Sequence, residues 1–258
     1  MIIPAEAKGL MGAKTALLAF SEGDLRSALR GAVRADPARV LGLVREMHPG
    51  YEVTPIDDGV LGEDTYPPDD ISYATVLAGA ELFCDRRLIP DLPSRLPARL
   101  LSAAGDRRII MHWMHSFSDG LCFAVWEKGS LIRSLSVSPD GGIAENIGEP
   151  YEFERPYWAG ERPVASMFSG DPYPLPFHPL ELGEAALRAL FGFILEGRPD
   201  PDDVNPYEVP LQGFRVADPT GREQAEREAH LKQLLLRMKP PRRYRMMPDG
   251  SFQEVTEA

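Results

Sequence analysis

Two histidines three residues apart, in the run His112-Trp113-Met114-His115, are the pair whose types and spacing first suggest chemistry. On a helix they would share a face and could hold a metal ion. On a strand, side chains alternate and the two rings point to opposite faces. The surrounding Ile, Met, Trp and Phe and the Ser118-Asp119-Gly120 turn favour a strand, so no metal site is expected from this pair. Pairing the strand with its neighbours is more informative. With Ser118-Asp119-Gly120 as a three-residue loop, Phe117 faces Leu121 and His112 faces Trp126. With Lys128-Gly129 as a two-residue turn, Trp126 faces Leu131 and Ala124 faces Arg133. One face then carries Ile109, Met111, Trp113, His115, Phe117, Leu121, Phe123, Val125 and Ile132. The other gathers His112, Trp126 and Arg133, an imidazole, an indole and a guanidinium suited to a small ligand or a peptide.

Tyr157-Trp158-Ala159-Gly160-Glu161 adds two large rings between Pro156 and Gly160 with no regular element to bury them. The expectation is that Trp158 lies over the second face, covering Trp126 and Arg133, with Glu161 at the rim. The candidate ligand-binding set is therefore His112, Trp126, Arg133, Trp158 and Glu161.

Other motifs weigh less. Gly12-Ala13-Lys14-Thr15 lacks the Gly directly before Lys that a phosphate loop needs, and it precedes a strand where that loop follows one. Residues 55–70 hold six carboxylates without the alternating ligands, central Gly and final Glu of a calcium loop. No nucleophile elbow, zinc-protease helix, paired CxxC or dinucleotide fingerprint occurs, so no catalytic residue, metal or cofactor is assigned. An enzyme would have to assemble scattered groups such as His112, Glu127 and Glu161 into a hydrolase or transferase site.

The elements that must position these residues centre on Arg107 to Val137, three apolar runs split by two turn signals, the pattern of an antiparallel meander. Thr15 to Phe20 reads as a buried strand. Asp24 and Asp36-Pro37 start two helices, and Pro179 opens a longer one over residues 180–196, capped at Gly197. The expected fold is α+β, an antiparallel sheet of five or six strands with the meander at its centre and helices mainly on one face. Leu17, Val44, Phe83, Trp113, Phe123, Val125, Leu190, Phe191 and Ile194 are the expected core. Residues 11–197 form the expected domain. Residues 198–258 are a C-terminal extension with a proline-rich connector, an amphipathic helix over 222–238 and a hairpin turn at Pro248-Asp249-Gly250. Residues 1–10 lack periodicity, and Met11 reads as the original start.

The chain has 258 residues, 43% hydrophobic, with a net charge of −11. That balance disfavours nucleic acid and anionic membrane surfaces, although Arg237, Lys239, Arg242, Arg243 and Arg245 make a basic cluster near the C-terminus. No apolar run approaches the roughly 20 residues of a membrane span. Cys84 and Cys122 sit in apolar runs and read as reduced core thiols, which places the chain in the cytosol.

Three stretches, Met11–Asp24, Ser134–Glu161 and Tyr173–Gly197, together resemble a family of uncharacterised proteins from GC-rich, actinobacterial-type genomes. The resemblance spans most of residues 11–197 and carries no activity, so no residue inherits a role from it. Trp126-Glu127-Lys128-Gly129, followed by a strand and Gly148-Glu149-Pro150, is similar to small α+β modules beside toxin or defence genes. The reading that follows is a non-catalytic, cytosolic bacterial binding module for a protein partner or small ligand in an immunity or regulatory setting.

Overall fold

A computed structural model describes residues 12–164, 173–237, 243–246 and 252–255. Residues 1–11, the turn at Pro248-Asp249-Gly250, and Lys239 and Arg242 lie outside them. The chain divides into two compact units, Met1–Ala217 and Asp218–Ala258.

In the first unit one antiparallel sheet of ten strands runs β2-β10-β4-β5-β1-β6-β7-β8-β9, with β3 beside β10. The strands are β1 (Lys14–Ser21), β2 (Glu52–Pro55), β3 (Gly59–Val60), β4 (Ile71–Leu77), β5 (Ala80–Cys84), β6 (Arg108–His115), β7 (Gly120–Glu127), β8 (Ser130–Ser138), β9 (Gly142–Ile147) and β10 (Pro210–Ala217). The α+β class and the antiparallel meander are as the sequence implies. The sheet is larger than five or six strands because β10 returns late in the chain to pair with both β2 and β4. The compact unit that holds this sheet extends to Ala217, the end of β10.

Helices lie against both faces. Helix α1 (Leu25–Arg30) starts where Asp24 accepts the Ser27 amide, and α2 (Pro37–Met47) where Asp36 accepts the Ala38 amide with Pro37 in the first turn. These are ordinary N-caps satisfying otherwise orphaned amides. Leu25 and Leu29 of α1 join Leu182, Ala186 and Leu187 of α5 (Pro179–Leu190) on Leu17, Ile110, Phe123 and Val125. On the opposite face, Val40, Val44 and Met47 of α2 and Leu100 and Ala104 of α3 (Ala98–Ala104) cover Leu18, Phe20, Phe83 and Met111. Helix α5 stops six residues short of the expected 196, because Gly192 turns the backbone to φ +85. Of the expected core, Trp113 and Ile194 are only half-buried.

Two features of the meander decide which side chains meet. Lys128 and Gly129 both hold positive φ, 50 and 75, as a two-residue hairpin turn requires. The β6–β7 connection is longer than three residues. His115 pairs with Gly120, so His112 faces Phe123 and Trp126 faces Ile109. A bulge after Val125 also sets Arg133 opposite Val125 instead of Ala124. These register corrections move Trp126 to the other face of the sheet, since an odd slip inverts every side chain.

The second unit holds α6 (Arg222–Arg237) and a hairpin of β11 (Arg243–Met246) with β12 (Phe252–Val255). Asp218 accepts the Glu223 and Thr220 amides ahead of α6. No helix among the described residues is long and apolar enough to cross a membrane.

Candidate functional site

The five residues singled out from sequence fall into three places. His112 is fully buried on the α5 side of the sheet. Its Nε2–H donates to the Gly183 carbonyl at 3.0 Å, so Nδ1 accepts from the Thr15 hydroxyl at 2.8 Å. Burial lowers its pKa to about 4, against the opposing pull of the Gly183 hydrogen bond. A neutral imidazole with both nitrogens used bridges β1, β6 and α5.

Arg133 lies on that same face and is also fully buried. Its Nε and Nη2 donate to the two oxygens of Glu154 at 2.9 and 2.6 Å, and Nη1 donates to Asn146 and the Ile147 carbonyl. The Trp158 indole N–H reaches the same Glu154 carboxylate at 3.3 Å, while its ring meets Phe177 edge-on at 5.0 Å. Trp158 is thus brought beside Arg133 through Glu154, the last residue of a 3-10 turn leading into α4 (Arg155–Trp158). It is half-buried, short of the largely buried position expected. Trp126 is 2% exposed on the far face among α2- and α3-side residues, so Trp158 does not cover it. Glu161 is exposed.

Several groups that could act as nucleophile or base are buried. The Cys84 and Cys122 thiols are both pushed up by burial, which keeps them protonated and unreactive. His48 donates to Asp85 at 2.8 Å with both side chains almost fully enclosed. A shallow cleft of about 470 Å³ is lined by Glu22, Asp106, Arg107, Arg108, Glu127 and Lys128; neither His112 nor Glu161 lines it.

A set of rings gathers at the surface at the β6–β7 end of the sheet. His112 and His115 point to opposite faces, as strand alternation demands. On the side away from α5, His115 stacks on Trp113 with planes 9° apart and centroids 5.8 Å apart. Tyr66 approaches His115 at 5.3 Å, and the Arg86 guanidinium sits 4.6 Å over the Tyr66 ring. Phe117 meets His115 edge-on at 6.4 Å and is 91% exposed. The Trp113 ring lies across Gly120, where a β-carbon would stand 2.7 Å from Cζ3. Burial first, then the positive charges of Lys14 and Arg86, hold the His115 pKa below its ordinary value, so the ring is neutral at pH 7. Gly120→Val should displace Trp113 and cost about 1–3 kcal/mol. A urea melt and the near-ultraviolet spectrum check this; no change in either would mean the ring is not seated there.

Sequence reasoning missed this cluster. Trp113 and His115 fit the alternation of a core face, and Tyr66 and Arg86 come from distant segments. The available signal was Phe117, a large apolar residue between His115-Ser116 and the turn residues Ser118-Asp119-Gly120.

Taken together, the architecture is an antiparallel α+β sheet with a closed interior and ring chemistry gathered at one strand end. Residues 15–214 match the family DUF6928, described as a family of unknown function, and the chain belongs to that family. No curated protein and no solved structure matches it.

Proposed function

We propose that this protein is a non-catalytic binding module that engages a partner through Phe117 and the adjoining stack of His115, Trp113 and Tyr66. The observation that carries this reading is the 91% exposure of Phe117 directly beside half-buried, mutually packed rings. Fully burying a phenylalanine ring contributes roughly 1.5–3 kcal/mol, and the edge contact with His115 leaves 91% of this one exposed. Rings already held in place lose little entropy on binding, which is why such residues anchor interfaces. The burial of His112, His48, Cys84 and Cys122, with both histidines already hydrogen-bonded to Thr15, Gly183 and Asp85, favours binding over hydrolase or transferase chemistry. The reduced, buried thiols support a cytosolic setting.

Phe117→Ser should leave the melting midpoint within about 2 °C of the parent, since surface substitutions stay within about 0.5 kcal/mol. A photo-crosslinking residue at position 117 should give a discrete adduct in living cells. The same residue at Tyr207, 59% exposed and remote in sequence, is the control. Identical adducts from both positions, or none from 117, would refute the reading.

A further inference from the structure

The occupant of the ring patch can be specified by charge. Two cations border it: Lys14, paired with His115 across β1 and β6, and Arg86, seated over Tyr66. Lys14 makes no ion pair among the described residues. Arg86 contacts Asp69 at 3.0 Å, with 36% and 39% of the two side chains exposed, so a second carboxylate can reach the guanidinium. The chain as a whole carries −11, yet charges beyond about 8 Å are screened at physiological salt. What a docking segment feels at Phe117 is therefore set by the nearest groups. The charges that act on His115 are both positive, Lys14 and Arg86, and both disfavour its protonation. Of the acids nearby, Asp69 is held by Arg86 and Asp119 lies 3.8 Å from His178. Among the described residues the charge left unpaired beside the rings is therefore that of Lys14, which is complementary to an acidic segment.

Resting on the binding-module reading above, we infer that the patch takes an acidic segment of a partner protein that sets an apolar side chain against Phe117 and its carboxylates against Lys14 and Arg86. The ring contact gives affinity, and the two cations give selection and register. A basic segment meets like charge at Lys14 and gains no free carboxylate at Arg86, whose Asp69 is already engaged.

The test uses the full chain and three labelled probes followed by fluorescence anisotropy. The first is a short peptide with a central phenylalanine flanked on each side by glutamates. The second replaces the glutamates by lysines, and the third is an oligothymidylate of similar length. The glutamate peptide should bind at least about tenfold more tightly than the lysine peptide and weaken several-fold as salt rises through the screening range. Lys14→Gln combined with Arg86→Gln should weaken it about tenfold, and Phe117→Ser at least as much. Thermal melts of each variant confirm that it is folded. Should the double variant unfold, Lys14→Gln alone serves, with a several-fold loss expected. Lysine-peptide binding that equals the glutamate peptide and depends on Phe117 would overturn the acidic assignment and leave the module standing. Tighter binding of the oligothymidylate, or Phe117-dependent self-association in sedimentation, would also overturn it. If no probe binds, both the assignment and the patch as a binding surface fall.

Discussion

Arg133→Ala should destabilise the first unit by about 3–5 kcal/mol, the usual consequence of stranding one partner of a buried ion pair. Glu154 would remain at 0% exposure with its carboxylate facing only the Tyr151 amide and the Trp158 indole. For a unit of this size the loss lowers the melting midpoint by roughly 10 °C or more. The guanidinium also closes the β8–β9 corner by donating to Asn146 and the Ile147 and Gly148 carbonyls, so hydrogen exchange in β9 should accelerate. Arg133→Met with Glu154→Leu removes both charges and should recover much of the loss, because an ion pair enclosed this far contributes less than its breakage costs. A single-variant loss under about 1 kcal/mol in urea melts would show that the pair is open in solution.

The second large effect is concealed in the native protein by opposition. His112 is held neutral, with a folded pKa near 4 against an ordinary 6.5. Its contribution is complete above pH 6.5 and is lost as pH falls toward 4. Glu184 is the reverse case. Burial raises its pKa to about 7 from 4.5, although its oxygens accept the Leu195 and Glu196 amides. The folded state therefore favours the protonated carboxyl, and that contribution is present below pH 4.5 and lost as pH rises through 7. Each shift corresponds to about 3 kcal/mol, and between pH 4.5 and 6.5 their slopes have opposite sign. Glu184→Gln should expose the histidine slope, making stability fall by about 3 kcal/mol between pH 6.5 and 4. His112→Gln should expose the carboxyl slope, with stability rising by a similar amount as pH falls from 7 to 4.5. Urea midpoints across this range check both. Parallel pH profiles for parent and variants would sink the account.

How far the fold could be read from sequence depended on whether local chemistry set the geometry. Lys128-Gly129 could be placed because few residue pairs accept positive φ at both turn positions. Asp24 and Asp36-Pro37 marked helix starts because capping is local. The Ser118-Asp119-Gly120 turn was visible, but its length was not. Phe117 looks like a strand residue, and assigning it to the strand slipped the register by an odd number and put Trp126 beside His112. Strand β10 was hidden in a proline-rich connector, since nothing near Leu211 or Phe214 announces partners as remote as Val53 and Ser72. Arg133 could be singled out as an unusual residue in an apolar strand, yet its partner Glu154 came from an irregular segment with no period to read. The ring patch stayed illegible because Tyr66 and Arg86 reach His115 only once the tertiary fold brings them there.

The late position of β10 has a consequence in time. Strands β4 and β5, and β6 to β9, pair as successive hairpins, and β1 is joined by β5 and β6 well before the end of the chain, whereas β10 must enter between β2 and β4, made long before it. Pairings so far apart in sequence are slow to close and leave earlier strands waiting. As the chain leaves the ribosome, β2 and the free side of β4 present unpaired backbone until residues 210–217 emerge. For that interval the nascent chain carries two open edges of the kind that recruit other chains. Phe214 and Val216, buried in the finished sheet, are the apolar residues that draw the last strand into place and end the exposure.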